Sequence, residues 1–529
     1  MKTGDALQRM TVTFFCSAVI LLGFIQNATA QSADELEGLH EFIERGMDDW
    51  KIPGMAVGIV HEGELVHAEG YGVKKMGEED PVEAETLFGV ASTSKAMTAA
   101  ALGMMVDEGK LDWDDPVIKH LPDFQLSDPW VTKHVTVRDL LTHQVGIGRM
   151  TGNRLRFMPF RDRDKILEFI AHQPFEEPFR QGYVYSNMMY MVAGKVLRET
   201  SGKRWDDFMM EEFFPQLGMD RANVSVTMFD DDSNAAWPHQ YIRGENQTIP
   251  RRNFDNVGPS ASVNASLLDF GRWMKFQLGE PGVLDGERLI SDEVMRETRQ
   301  AQNTLSSPDP YQGNLRAYGL GWSLGSYRGY HTISHGGAAD GMNTTLMMMP
   351  EKELGVVVFS NIFNNFRDAV ARWVMDAYIG EREDGRDWHE YYLENYESRK
   401  AYAQNRRDDI EAKRVEGTRP SLSLNQFTGT YQDDVYDEVE VKLNQDGRLE
   451  LHFWDDETQI AELEHWHYDT FRAHWKNPAQ REKFVTFDLG SDGQPKTLNV
   501  EFTLRPVLLQ VGIYPTDYYR IVEFEKTGT

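Results

Sequence analysis

Strand-like apolar runs stand near the beginning of this chain and again far downstream, and almost everything between is patterned as helix. Met55 to Val60 and Glu64 to Tyr71 are joined by His61-Glu-Gly63, which suits a hairpin. Gly319 to Leu324, His331 to His335, Met342 to Met349 and Leu354 to Ser360 form a meander, with Pro350-Glu-Lys-Glu353 as a turn. In between, helical spacing covers Asp162 to His172, Ser186 to Thr200, Trp205 to Phe214 and Ser266 to Leu278. Two further amphipathic helices bracket the set. Ala33 to Trp50 ends at Pro53-Gly54, and Phe366 to Tyr378 follows the meander. This order predicts one sheet made from distant parts of the chain, with a helical insertion beside it.

At 529 residues the chain is too long for one ordinary domain, and two or three are expected. Asp112 to Thr142 holds short turns, Leu121-Pro-Asp123 and Ser127-Asp-Pro129, and a helix start at Thr136. Gly380 to Pro420 is charged, with Arg399 to Arg414 a solvated helix or linker. From Leu422 onward short strands alternate with turns such as Asn444-Gln-Asp-Gly447 and Gly490-Ser-Asp-Gly493. The strands read as Phe427 to Tyr431, Glu438 to Leu443, Leu449 to Trp454, Ala461 to His467, Thr470 to Ala473, Lys483 to Asp488 and Thr497 to Phe502. A small all-β barrel or sandwich fits.

The first thirty residues have the form of a secretory signal peptide. Lys2 and Arg9 supply positive charge, Met10 to Ile25 is largely apolar, and Ala28-Thr29-Ala30 is a small-x-small cleavage site. The mature chain would begin at Gln31 in the periplasm or outside the cell; an uncleaved anchor is the rival, disfavoured by the short apolar run. Cys16 is the sole cysteine, so a cleaved chain has no disulfide, no thiol chemistry and no Cys-ligated metal. The net charge of -29 repels nucleic acid and anionic membranes, which are discounted as partners. Oligomeric state is left open.

Three stretches carry residues that an activated serine requires. In Ser92-Thr93-Ser94-Lys95 a hydroxyl and an amine lie about one helical turn apart, and a buried amine can act as base toward a serine. In Phe179-Arg-Gln-Gly-Tyr-Val-Tyr-Ser-Asn187, Tyr185 can relay a proton and Asn187 can orient a lysine or a carbonyl. In Thr332-Ile-Ser-His-Gly-Gly-Ala-Ala339, placed on a strand end, two glycines let backbone come close and leave N–H groups to polarise an oxyanion. Each stretch also has a plain structural reading. Ser92 could cap a helix beside a solvated lysine, Tyr185 could be packing, Asn187 a cap, and His335 incidental to a glycine-rich turn.

Taken together, the three stretches resemble the serine β-lactamase and penicillin-binding protein superfamily. The best match is its branch of class C β-lactamases, D-alanyl-D-alanine carboxypeptidases, D-aminopeptidases and β-lactamase-fold esterases. Thr136-Val-Arg-Asp-Leu-Leu-Thr-His-Gln-Val-Gly146, Phe214 to Met219, Gly258 to Trp273 and Tyr318-Gly-Leu-Gly-Trp322 also look like this branch. The resemblance runs from about Leu36 to Tyr378. It implies an α/β fold, an antiparallel sheet flanked by helices plus an all-helical subdomain. It implies that Ser92 forms an acyl-enzyme, Lys95 and Tyr185 share the acid/base work, and Asn187 positions substrate and lysine. His335, Gly336 and Gly337 then bind substrate, with the backbone N–H groups of Ser92 and Ala338 as oxyanion hole. His335 stands where many relatives have lysine. Histidine is only partly charged near neutrality, which tilts the site from carboxylate-bearing β-lactams toward peptides and esters. The region from Leu422 resembles the lipocalin-like domain often appended to this family.

The expectation is therefore a signal peptide at 1–30, a serine hydrolase domain at 31–379, a charged helical linker at 380–421 and a β-barrel at 422–529. It would act on a small amide, peptide or ester without metal or organic cofactor. A penicillin-binding sensor or structural module with little turnover, or a true β-lactamase, is the alternative. His465-Trp-His467-Tyr-Asp469 resembles half of a zinc-binding H-x-H-x-D-H motif, but Thr470 stands in place of the last histidine, so metal binding is not expected there.

Overall fold

The computed structural model describes residues 35–527 except 149–162, 243, 306–315, 381–385, 435, 454–456, 478–479, 481–482 and 504–518. The proposed signal segment and most of the loop after Gly146 lie outside the described residues.

Strand β1 (Gly54–His61) turns into β2 (Glu64–Gly72) through Glu62 and Gly63, whose φ angles of 48° and 79° make the mirror-image turn that matches strand twist. The late strands are β3 (Asn303–Leu305), β4 (Arg316–Tyr318), β5 (Ser323–Tyr327), β6 (Tyr330–Ala339), β7 (Met342–Met349) and β8 (Leu354–Ser360). Pairing of β1 with β8, from Met55 opposite Ser360 to His61 opposite Leu354, joins both groups into one antiparallel sheet of order β2-β1-β8-β7-β6-β5-β4-β3. Every residue of β8 is buried, as is all of β1 except His61. Both faces are covered, so these central strands read as continuous apolar runs.

On one face, helix α1 (Leu39–Trp50) and helix α5 (Phe366–Ile379) pack Leu39, Ile43, Phe366 and Val370 against Val57, Val356 and Val358. The other face meets α2 (Ser94–Asp107) and α4 (Leu267–Gln277), where Met97, Phe270 and Met274 join Val357 and Phe359, and α3 (Asn187–Ser201) packs on α2. Among the described residues no helix is long and apolar enough to cross a membrane.

Several elements differ from the sequence reading. The run Gly319 to Leu324 is not one strand. It contains the turn between β4 and β5, because Gly321 adopts φ 82° and a Cβ there would lie 2.8 Å from the Ala96 Cα of α2. Strand β6 runs on to Ala339, so His335-Gly336-Gly337 sits within the strand, paired with Leu346, Thr345 and Thr344. Ser127-Asp-Pro129 is a helix start, with Asp128 capping Pro129–His134 through the N–H groups of Trp130 and Val131. The first helix begins at Leu39, after Gly38 in the left-handed region.

The charged linker is largely a helix, α6 (Trp388–Glu411), and its first turns belong to the core. Trp388 is buried, and its Nε1 donates to Asp376 Oδ2 at 2.6 Å. Asp376 also accepts from the Tyr327 hydroxyl at 2.7 Å and pairs with Arg328 Nε at 2.8 Å. One buried carboxylate thus ties α6, α5 and β5 together.

Beyond it, eight strands close a barrel in chain order: β9 (Gly429–Asp433), β10 (Asp437–Leu443), β11 (Leu449–Phe453), β12 (Ile460–His467), β13 (Thr470–Trp475), β14 (Lys483–Leu489), β15 (Pro495–Thr503) and β16 (Tyr519–Thr527). The last strand, absent from the sequence reading, pairs with both β15 and β9 and removes the sheet edges. Buried side chains such as Phe427, Phe471 and Phe487 pack together at centroid spacings of 4.7 to 5.8 Å. His467 and Asp469 serve the join to the linker: the Val415 N–H donates to His467 Nδ1, and Asp469 accepts from Ser421, while His465 Nε2 meets Tyr468 O at 2.9 Å within its own hairpin. Among the described residues no group of three His, Cys, Asp or Glu is placed to hold a metal ion.

Candidate active site

Ser92 sits in a single 3-10 turn, Ala91–Thr93, with α2 beginning at Ser94. Ala91 takes φ 48°, a left-handed conformation that costs an alanine roughly 1–2 kcal/mol. The surroundings hold it. Ser94 Oγ donates to Ala91 O at 2.6 Å and accepts from Val263 N–H at 3.2 Å. The strained turn aims Ser92 Oγ away from the helix end, into a polar set rather than into capping. The close approach on the other side requires glycine. A Cβ on Gly337 of β6 would lie 2.1 Å from Val90 O, so the strand and the Ser92 turn can pack only without that side chain.

Helix α2 is buried on every side from Ser94 to Gly103, and Lys95 is fully buried within it. Its Nζ donates to Ser92 Oγ at 3.2 Å, Asn187 Oδ1 at 2.7 Å and Ser260 O at 2.8 Å. Three acceptors match the three protons of an ammonium, which offsets the cost of burying the charge. The rings of Tyr185 and Tyr190 lie 4.9 and 5.3 Å from the same nitrogen, within cation–π range. The Tyr185 hydroxyl donates to Ser92 Oγ at 2.8 Å. Ser186 occupies the N-cap position of α3 and Asn187 its first turn, which turns the amide toward Lys95. Ser92, Lys95, Tyr185 and Asn187 are therefore one hydrogen-bonded unit built from two helix starts.

His335 joins this unit through aromatic rings. Its Nδ1 lies 2.8 Å from Gly336 O, which can only accept, so the proton is assigned to Nδ1. Nε2 is then left to accept from the Tyr318 hydroxyl at 2.9 Å. Burial pushes the Tyr318 phenol well above its ordinary value, which keeps it a neutral donor. The Tyr318 ring packs 4.9 Å from His143, and His143 lies 4.3 Å from Tyr185. His143 is fully buried with φ 61°, and its Nδ1 accepts from Ser186 N–H at 3.1 Å. The sequence reading gave His143, Tyr190, Ser260 and Tyr318 no chemical part. His143, Ser260 and Tyr318 lie in stretches it had marked only as family-like, and Tyr190 in none of them. Gly336 and Gly337 are both in the sheet ladder, and Ala338 pairs with Asn343.

Comparison with known proteins follows the same outline. Residues 39–380 match the family model described as Beta-lactamase, and residues 413–510 match one described as Domain of unknown function (DUF3471). The Unguisins hydrolase ungD' of Aspergillus campestris is 26% identical over 508 residues, 89% of this chain and 90% of that protein. Protein flp of Staphylococcus aureus is 24% identical over 343 residues, 63% of this chain and 64% of its own. Among solved structures, the octameric penicillin-binding protein homologue from Pyrococcus abyssi has a TM-score of 0.59 at 20% identity, covering 88% of this chain and 98% of that one. The crystal structure of SurE has a TM-score of 0.53 at 18% identity, covering 94% and 100%. The two structural likenesses establish a shared fold.

Proposed function

Since this chain belongs to the Beta-lactamase family, within the serine β-lactamase and penicillin-binding protein superfamily, we propose that it is an exported serine hydrolase working through a Ser92 acyl-enzyme. The observation that carries the reading is the double contact on Ser92 Oγ, from Lys95 Nζ at 3.2 Å and the Tyr185 hydroxyl at 2.8 Å. Ser92 Oγ attacks the substrate carbonyl and forms a C–O bond. For this the Lys95–Tyr185 pair must hold one proton fewer than in the fully protonated arrangement, as neutral amine or phenolate; it then takes the Ser92 proton and passes it to the leaving nitrogen or oxygen as that bond breaks. Water then adds to the acyl ester, loses its proton to the same pair, and Ser92 recovers one. Asn187 positions Lys95 and the substrate amide, and the N–H groups of Ser92 and Ala338 hold the oxyanion. The packing of Gly337 against Val90 supports that pairing, since it draws β6 beside the turn.

The substrate class is a small amide, peptide or ester of the D-amino-acid peptidase or esterase type. His335 supports it, because an imidazole held through Nδ1–H and Nε2 supplies no fixed cation for a carboxylate. A relative named as an unguisins hydrolase agrees with hydrolytic work.

The test is a screen of the chain from Gln31 against p-nitrophenyl esters, D-amino-acid amides and nitrocefin, with Ser92→Ala as control. Turnover of an ester or amide is expected, falling at least ~10³-fold in a folded Ser92→Ala. Equal rates in the two proteins would overturn the assignment. A fluorophosphonate or fluorescent penicillin that labels Ser92 permanently, with no turnover of any substrate, would make the protein a sensor. A preference for nitrocefin would make it a β-lactamase.

A further inference from the structure

Tyr185 is the more exposed member of the pair on Ser92, and it lies between two buried neighbours, Val184 and Ser186. The backbone on both sides of it is tied to one residue. The Val184 N–H donates to His143 O at 2.9 Å, and the Ser186 N–H donates to His143 Nδ1 at 3.1 Å. His143 thus grips the chain before and after Tyr185, while its ring lies 4.3 Å from the Tyr185 ring at 34°.

The grip depends on the backbone of His143. Its φ of 61° is left-handed, a region that asparagine, aspartate and histidine enter more readily than other side chains with a Cβ. Coming just after the helix Val137–Leu141, this conformation presents carbonyl and imidazole to the same passing segment. The residues before it are anchored in turn. The Tyr190 hydroxyl of α3 donates to Leu141 O at 2.6 Å, and Asn303 Nδ2 of β3 donates to Thr142 O at 3.2 Å and Gly182 O at 3.1 Å.

The contacts also assign the charge of the ring. A nitrogen that accepts from a backbone N–H carries no proton, so the imidazole is neutral with its proton on Nε2. An imidazolium would set two donors against each other at Nδ1. It would also place a cation among Tyr183, Tyr185, Tyr190 and Tyr318, with ring centroids 4.3 to 5.4 Å away, and Lys95 Nζ already faces two of these rings.

We propose that His143 is a positioning residue for the acid/base step: as a neutral acceptor it fixes the backbone of Tyr185 so that the hydroxyl stays on Ser92 Oγ, 2.8 Å away. The assignment rests on the acyl-enzyme reading and extends it, because the placement of the tyrosine falls to a residue that takes no proton itself.

The test is a double-mutant cycle on p-nitrophenyl acetate, with a melting curve for each variant. His143→Phe keeps an aromatic face and removes the acceptor. His143→Asn keeps an acceptor, since its Oδ1 falls where Nδ1 lies, and suits the left-handed backbone. His143→Phe should lower kcat at least ~30-fold with KM within about twofold, and should displace the pH profile of kcat/KM. His143→Asn should stay within about fivefold of the parent and keep its profile. In a Tyr185→Phe background His143→Phe should cost less than about twofold more, since the hydroxyl it would place is gone. If His143→Phe does not fold, His143→Gly removes the acceptor without backbone strain and takes its place in the cycle. Equal losses with and without the tyrosine hydroxyl, or a folded His143→Asn that falls as far as the acceptor-free variant, overturns the proposal and leaves the hydrolase reading intact. Ester turnover undiminished in Ser92→Ala would instead remove the hydrolase reading.

Discussion

Gly336 and Gly337 are neighbours in one strand, yet an added methyl group meets different things at each. At Gly336 the nearest atoms would be Arg367 Nη1 at 3.6 Å and Thr344 O at 3.7 Å, ordinary contact distances. At Gly337 the methyl would fall 2.1 Å from Val90 O, so β6 and the Ser92 turn must separate. Gly336→Ala should therefore leave thermal stability within about 1 kcal/mol of the parent. Gly337→Ala should lower kcat/KM at least ~100-fold, since a displacement near 1 Å can cost that much. Melting curves and ester kinetics on the two variants check this, and matched effects at both positions would contradict it. At this scale the legible part was local. Ser92 and Lys95 are one turn apart, so their meeting could be foreseen from spacing. Ser260 contributes a carbonyl and His143 a ring face, and neither group is distinguished by residue type. They act only through their place in the fold.

Among the elements, α6 shows how charge can conceal a docked helix. Most of its residues are polar, so the sequence reading took 380–421 as a charged helical linker, with Arg399 to Arg414 solvated, and docked none of it. Its first turns nevertheless bury Trp388 and His389. Asp376 fixes this end, with its side chain 5% exposed and contacts from Tyr327, Arg328 and Trp388. Asp376→Ala would leave buried donors without their carboxylate and should lower stability by about 3 kcal/mol. Urea unfolding measures it, and a loss below about 1 kcal/mol would show that the carboxylate is not what holds α6. Two other elements escaped the sequence for related reasons. The β4–β5 turn is hidden by glycines inside an apolar run. In β16 only Val522 and Phe524 of the central residues are buried and apolar, while Ile521 faces out at 52% exposure, so its alternation is faint.

For the whole molecule, acid should be destabilising before its carboxylates titrate. Burial holds His67, His239 and His389 below the ordinary histidine value of 6.5. His239 is fully buried between the Met76 N–H, which donates to Nε2 at 3.0 Å, and Asn361 O, 3.0 Å from Nδ1. For a base whose folded pKa is depressed, the unfolded chain binds the proton more readily. Stability is then fully present above 6.5 and falls as pH drops below it toward the folded value. His239 alone would contribute a slope of up to about 1.4 kcal/mol per pH unit in that window. Urea midpoints should decline from pH 7.5 to 5.5, and His239→Gln should flatten the decline; a midpoint that rises on acidification contradicts this. The order of strands, helices and strands made the single sheet legible at this scale, because only pairing of both groups could bury them. The barrel was expected as well, but its closing strand, Tyr519–Thr527, was not read, since it gives so little pattern. The pairing of β1 with β8 also sets a timetable. Residues roughly 300 positions apart must meet before the centre of the sheet exists. During synthesis β1 has only β2 beside it, and its other edge waits unpaired until nearly the whole hydrolase region has emerged. The chain stays threadable for that interval, and exposed to aggregation, so a holding chaperone matters more for this protein than for one whose strands pair with their neighbours.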